Sequence, residues 1–193
     1  MQVDHGMLAH LAAGGRWLRV LDAARDRARG VGLMTEPLAP FDPLRLLRLL
    51  HEHEVRCVLI GGVAMRLYDE RRLTDDLDVC FARDRDNCLR IANVLALVHA
   101  RRRGWTAELP DLLDASALLL GGTFTLATDF GPLDLLGEPA GTRGYTDLAS
   151  SATPIELDGL AVLIASREAM LRMKRAAGRP VDQADILILE DTP

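Results

Sequence analysis

Two short apolar runs, RCVLI at 56–60 and LDVCFA at 77–82, are separated by a segment that opens on Gly61-Gly62 and closes on Asp75-Asp76. No other feature constrains the chain as much. Short runs rich in aliphatic and β-branched side chains, bounded by glycine and polar residues, predict buried strands. Thirteen residues, 63–75, lie between the glycine pair and Asp76. That length fits one short helix, from 63 to about 69, and a return into a neighbouring strand, which brings the glycine turn and the acids to one end of one sheet. Residues i and i+2 of a strand share a face, so Asp76 and Asp78 converge while Leu77 and Val79 point to the core.

The remaining elements follow from caps and periodicity. Asp42-Pro43 predicts a helix start, Asp as N-cap and Pro at the first turn, with Leu44, Leu47 and Leu50 forming a stripe to about Glu54. A second helix is expected over 84–101, its apolar face carrying Leu89, Ile91, Val94, Leu95 and Val98. FTLATDFGPLDLL, 124–136, predicts two strands pivoting on Gly131-Pro132. Strands near 155–157 and 161–164 are joined by an Asp158-Gly159 turn. Ser166 caps a helix running to about Ala177, and Pro180 opens a last one. The class is α/β or α+β, a mixed sheet flanked by helices. Residues 1–40 are expected to be an appendage: a helical pattern over 8–29 broken at Gly14-Gly15, then the proline-rich MTEPLAPFDP, in which Met34 marks an alternative start. Residues 41–193 form the single domain.

A chain of 193 residues with 49% hydrophobic side chains can bury a substantial core. Its net charge of -5 removes any global electrostatic case for nucleic-acid binding. One dense basic run, Arg101-Arg102-Arg103 beside Trp105, has two readings: a grip on RNA phosphate and a base, or a helix C-terminus capped by Gly104. Cys57, Cys80 and Cys88 lack zinc spacing and suit buried free thiols of a reducing cytosol. The longest uncharged stretch, 115–128, is 14 residues and too short to span a bilayer. With no basic leader at the N-terminus, a cytoplasmic protein without a membrane partner is the expectation.

Asp76 and Asp78 carry the chemistry. Carboxylates held a few ångströms apart repel each other, and a divalent cation relieves that repulsion; oxygen ligands suit Mg²⁺ or Mn²⁺. A solvated acidic strand end, paired with Arg71 and Arg72, is the alternative. A strand, a Gly pair and a helix start present free backbone N–H groups to an anion, although the same turn also serves simply to reverse the chain. The spacing matches neither the GxxxxGK[ST] loop nor GxGxxG. Asp134 lies on a later strand between Leu133 and Leu135 and needs a partner there, which a metal shared with Asp76 and Asp78 would supply. Arg72 and Thr74, just before the acids, are candidates to contact phosphate or orient Asp76.

VLIGGVAMRL (58–67), RLTDDLDV (72–79), GPLDLL (131–136) and MKRAAGRPVDQADI (173–186), in that order, resemble the nucleotidyltransferase superfamily of DNA polymerase β type. The resemblance is to its small bacterial members, the AbiEii-like toxins of toxin–antitoxin pairs and their relatives. It implies ligation of two Mg²⁺ or Mn²⁺ ions by Asp76, Asp78 and Asp134, with Gly61 and Gly62 cradling the triphosphate of an NTP. It raises Lys174 to a ligand of the nucleotide phosphates, against the alternative of a solvated basic face. It places Asp182 and Asp185, with Arg179, near the site, where an ordinary ion-pair cluster is the other reading. The implied reaction is transfer of an NMP to a hydroxyl, with tRNA as the acceptor and an antitoxin as a protein partner. A small-molecule or protein acceptor, or a non-catalytic nucleotide-binding module, are the alternatives.

Overall fold

In the computed structural model the described residues are 39–104 and 113–191. The expected helix over 8–29, Met34 and Trp105 lie outside them. The helices are α1 (Pro43–Glu52), α2 (Gly61–Met65), α3 (Arg85–Leu97), α4 (Ala115–Leu120), α5 (Tyr145–Ala149), α6 (Arg167–Ala177) and α7 (Pro180–Asp191). The strands are β1 (Cys57–Ile60), β2 (Leu77–Phe81), β3 (Arg101–Arg102), β4 (Thr123–Thr128), β5 (Gly131–Leu136), β6 (Thr153–Leu157) and β7 (Leu160–Ile164). They form one seven-stranded sheet in the order β3-β4-β5-β2-β1-β7-β6. It is mixed: β2 runs parallel to β5 and β1 parallel to β7, and the other neighbours are antiparallel.

The central strands lie where the apolar runs predict them, and for the expected reason. Val58, Leu59, Leu77, Val79, Leu133 and Leu135 are all buried in one core that also takes in Leu46, Leu47 and Leu50 of α1. Phe81 and Phe124 meet edge to face with ring centroids 6.4 Å apart, an arrangement their quadrupoles favour. Asp42 caps α1 by accepting from the Arg45 N–H at 3.1 Å, and Ser166 caps α6 by accepting from that of Ala169 at 3.3 Å. Asp158 and Gly159 both take positive φ, 50° and 77°, as a type I′ hairpin turn requires. No helix among the described residues is long and apolar enough to cross a membrane.

Four local expectations are corrected. The helix after the glycine pair begins at Gly61 itself and ends at Met65, so Gly61, at φ 65°, makes the turn and the first helical residue together. The hairpin between β4 and β5 turns on Asp129-Phe130, and Gly131-Pro132 already belongs to β5. Helices α4 and α5 occur where none was expected; Asp114 starts α4 by accepting from the Ala117 N–H at 2.9 Å. Helix α3 stops at Leu97 rather than reaching Arg101. His99 takes φ 46° and the Ala100 N–H returns to the Leu95 carbonyl at 2.9 Å, closing the helix with a Schellman-type cap. Arg101 and Arg102 therefore form an edge strand on β4, and Gly104 caps no helix.

Candidate active site

The sheet register assembles the site. Ile60 pairs with Asp78, Asp78 with Asp134, and Asp134 with Thr125. Asp78 and Asp134 thus stand side by side on parallel strands, and Asp76, one residue before β2, joins them from the strand's open end. Each of the three offers a carboxylate oxygen, and these oxygens lie within 4.8 Å of one another. Asp75 is exposed and stands apart from the cluster. Thr74 donates its hydroxyl to Asp76 Oδ1 at 2.9 Å and so fixes that carboxylate's rotamer.

The glycines are required by what they touch. A Cβ on Gly61 would overlap the Asp78 carboxylate, and one on Gly62 would overlap the Thr74 hydroxyl. The Gly62 backbone N–H also stabilises the charge on Asp78. The turn is packed directly against two of the groups that shape the acid cluster, and only residues without side chains allow that approach.

The acids in this cluster oppose each other. Burial, then the charges of Asp76 and Asp134, push the Asp78 carboxyl up to about 7, against the pull of Gly62 and Lys174. Burial also raises Asp134, although Arg103 works in the other direction. Three oxygen donors, crowded and under-compensated, fit a hard divalent cation: such an ion would remove both the repulsion and the desolvation cost.

A second acid cluster faces the first from α7. Asp182 and Asp185 are 0% and 1% exposed, three residues apart on one helix face. Lys174 of α6 sits between them, its Nζ 3.2 Å from Asp182 Oδ1 and 2.7 Å from Asp185 Oδ2. Arg179 grips Asp182 through Nε at 2.9 Å and Nη2 at 3.1 Å. Arg72 grips Asp185 through Nε at 2.7 Å and Nη2 at 3.4 Å. Burial works to raise both carboxyls; the Arg179 and Lys174 contacts overcome it and hold Asp182 down at about 2, and Arg72 and Lys174 hold Asp185 below the usual range. Arg72, which grips Asp185, lies two residues before Thr74, which holds Asp76, so one short segment ties the two clusters together. Contacts link Gly61, Gly62, Thr74, Asp76 and Asp78 on one side and Arg72, Lys174, Arg179, Asp182 and Asp185 on the other, with Asp134 beside Asp78.

The basic run supplies a partner to the triad that neither of its two readings places there. Arg103 donates from Nη2 to Asp134 Oδ1 at 2.7 Å. Its backbone N–H bonds to the Thr125 carbonyl at 2.9 Å, and Thr125 pairs with Asp134. Arg103, Thr125, Asp134, Asp78 and Ile60 thus make one row across the sheet. A helix assigned through Arg101 hides this, because it removes β3; the usable signal was His99-Ala100 between the last helical apolar residue and the arginines.

No family model and no curated protein sequence matches the chain. Solved structures do match it in fold. A candidate nucleotidyltransferase from Thermotoga maritima, TM1012, superposes with a TM-score of 0.50 at 16% identity, covering 77% of this chain and 93% of that one. The lincosamide antibiotic adenylyltransferase LnuA, in its lincomycin-bound crystal structure, superposes with a TM-score of 0.53 at 15% identity, covering 78% of this chain and 96% of that one. The mixed sheet and its helices share the fold of these two structures.

Proposed function

We propose that this protein is a metal-dependent nucleotidyltransferase that moves a nucleoside monophosphate from an NTP to an acceptor hydroxyl. The observation that carries the reading is the cluster of Asp76, Asp78 and Asp134, with ligand oxygens within 4.8 Å of one another beside a glycine turn. Asp76 and Asp78 would hold both of two Mg²⁺ or Mn²⁺ ions, and Asp134 would complete the ligands of the second. Ions so bound supply charge neutralisation to a triphosphate and lower the pKa of an attacking hydroxyl.

The chain's own groups take the remaining roles. The backbone around Gly61 and Gly62, free of side chains, lets the β- and γ-phosphates approach. Thr74 keeps Asp76 in its ligating rotamer. Lys174 and Arg179 place positive charge near the departing pyrophosphate, and Asp182 and Asp185 hold those two cations in place. The acceptor oxygen attacks the α-phosphorus, the bond from that phosphorus to the bridging oxygen breaks, pyrophosphate leaves, and the hydroxyl proton passes to Asp134.

The resemblance of the four ordered motifs to AbiEii-like toxins favours a tRNA 3′ end as the acceptor and a cognate antitoxin as partner. A second reading, a small-molecule hydroxyl, is favoured by the shared fold with LnuA across 96% of that chain. Incubation with each NTP labelled at the α-phosphate, Mg²⁺, and in turn bulk tRNA, a lincosamide or aminoglycoside, and a protein mixture separates them. Label on one acceptor class, lost in Asp76→Asn, supports transfer and identifies the acceptor. Absence of label on all three together with no pyrophosphate release overturns the reading.

A further inference from the structure

Asp134 differs from Asp76 and Asp78 in already holding a cation. The Arg103 guanidinium lies 2.7 Å from Asp134 Oδ1 by one nitrogen, Nη2. Its Nε is buried and has no hydrogen-bond partner among the described residues. Arg72 and Arg179, by contrast, each use two nitrogens on their aspartates. A two-pronged grip is the strong form of an arginine–carboxylate pair, and a single prong with an orphaned Nε is easier to undo. The backbone of Arg103 is tied to Thr125, so the side chain can leave Asp134 while the strand stays in register.

We propose that Arg103 is a cationic placeholder on the third metal ligand: it neutralises Asp134 until a divalent cation takes that carboxylate, and loading of the second ion displaces it. The proposal rests on the triad being the metal site. A positive guanidinium a few ångströms from the same oxygens repels an incoming cation and occupies a lone pair that the cation needs. Removing the charge of Arg103 therefore frees the site for metal. A residue that merely orients Asp134 would have the opposite effect, since loss of an outer-shell partner weakens metal binding.

Mn²⁺ binding to the full chain, followed by electron paramagnetic resonance at neutral pH, decides between them. Arg103→Gln is expected to bind Mn²⁺ roughly ten-fold more tightly than wild type, the scale of one charged hydrogen bond. Arg103→Lys, which keeps the charge, should stay near wild type. Arg103→Gln that binds equally or more weakly overturns the placeholder while leaving the metal site intact. Wild-type protein that binds no Mn²⁺, or binds it unchanged in Asp76→Asn, overturns the metal site itself and the placeholder with it. Wild-type protein carrying ¹⁵N-arginine gives a check free of any substitution. Its Arg103 Nε–H resonance should shift saturably with Mg²⁺, and a resonance that stays fixed while Mg²⁺ binds contradicts the displacement.

Discussion

Two aspartate clusters share this site and behave in opposite ways. Asp182 and Asp185 are the more deeply buried, yet their carboxyls are held low, Asp182 at about 2. Asp78 and Asp134 keep partial access to solvent, and burial with the charges of neighbouring acids raises theirs, Asp78 to about 7. Burial and mutual repulsion prevail in the triad, and cation supply outweighs burial at Asp182 and Asp185. Lys174, Arg72 and Arg179 converge on Asp182 and Asp185, whereas in the triad Arg103 pairs with Asp134 and no side-chain cation among the described residues forms an ion pair with Asp76 or Asp78. The satisfied cluster is architecture that fixes α6, α7 and the segment before β2 to one another. The unsatisfied one is where the proposed metal would bind.

Substitutions break the comparison most sharply where they remove the proposed chemistry. Asp76→Asn and Asp134→Asn should lower pyrophosphate release by about 10³-fold or more, because several kcal/mol of transition-state stabilisation passes through the ligands they lose. Lys174→Ala should destabilise the fold by about 3–5 kcal/mol in urea unfolding, since it strips buried Asp182 and Asp185 of a shared partner. Asp78→Asn should do the reverse and stabilise the metal-free protein at pH 8 by about 1–3 kcal/mol, because a raised carboxyl is a destabilising charge once ionised. Gly61→Ala should cost about 1–3 kcal/mol by forcing a side chain into left-handed backbone and should also push Asp78 aside, weakening Mn²⁺ binding.

The same contrast in cation supply sets the pH profile of the metal-free protein. The Asp78 carboxyl is raised from 3.8 to about 7, so the folded state binds its proton more tightly than the unfolded state does. Stability should therefore fall as pH rises from about 4 to about 7. The Asp182 carboxyl is lowered from 3.8 to about 2, so its contribution is present above about 4 and lost as pH falls toward 2. Melting temperature against pH should peak between the two limbs, and Asp78→Asn should flatten only the upper one.

Much of the site is legible in the sequence because it depends on short-range rules. The DxD spacing, the Gly pair and the apolar runs are enough to put Asp76, Asp78 and Gly61 on adjacent strand ends. Asp134 is legible as an acid among leucines, which needs a partner. What stays hidden depends on tertiary pairing. The split of Asp182 and Asp185 from the other acids rests on which cations reach them, and Arg72 does so across 113 residues of sequence. Arg103 is concealed by an α3 drawn too long, because the apolar periodicity continues to Val98 and only the break at His99-Ala100 marks the end. The bounds of α2 shift for a related reason: Gly61 serves the turn and the helix at once.

The measurement closest to the central claim is a crystal structure of the full chain with Mn²⁺ and a non-hydrolysable NTP analogue, with manganese located by anomalous scattering. Two anomalous peaks among the carboxylates of Asp76, Asp78 and Asp134, with Lys174 still seated between Asp182 and Asp185, are the predicted result. Manganese on Asp182 and Asp185, or a triad without manganese beside bound nucleotide, would contradict the account.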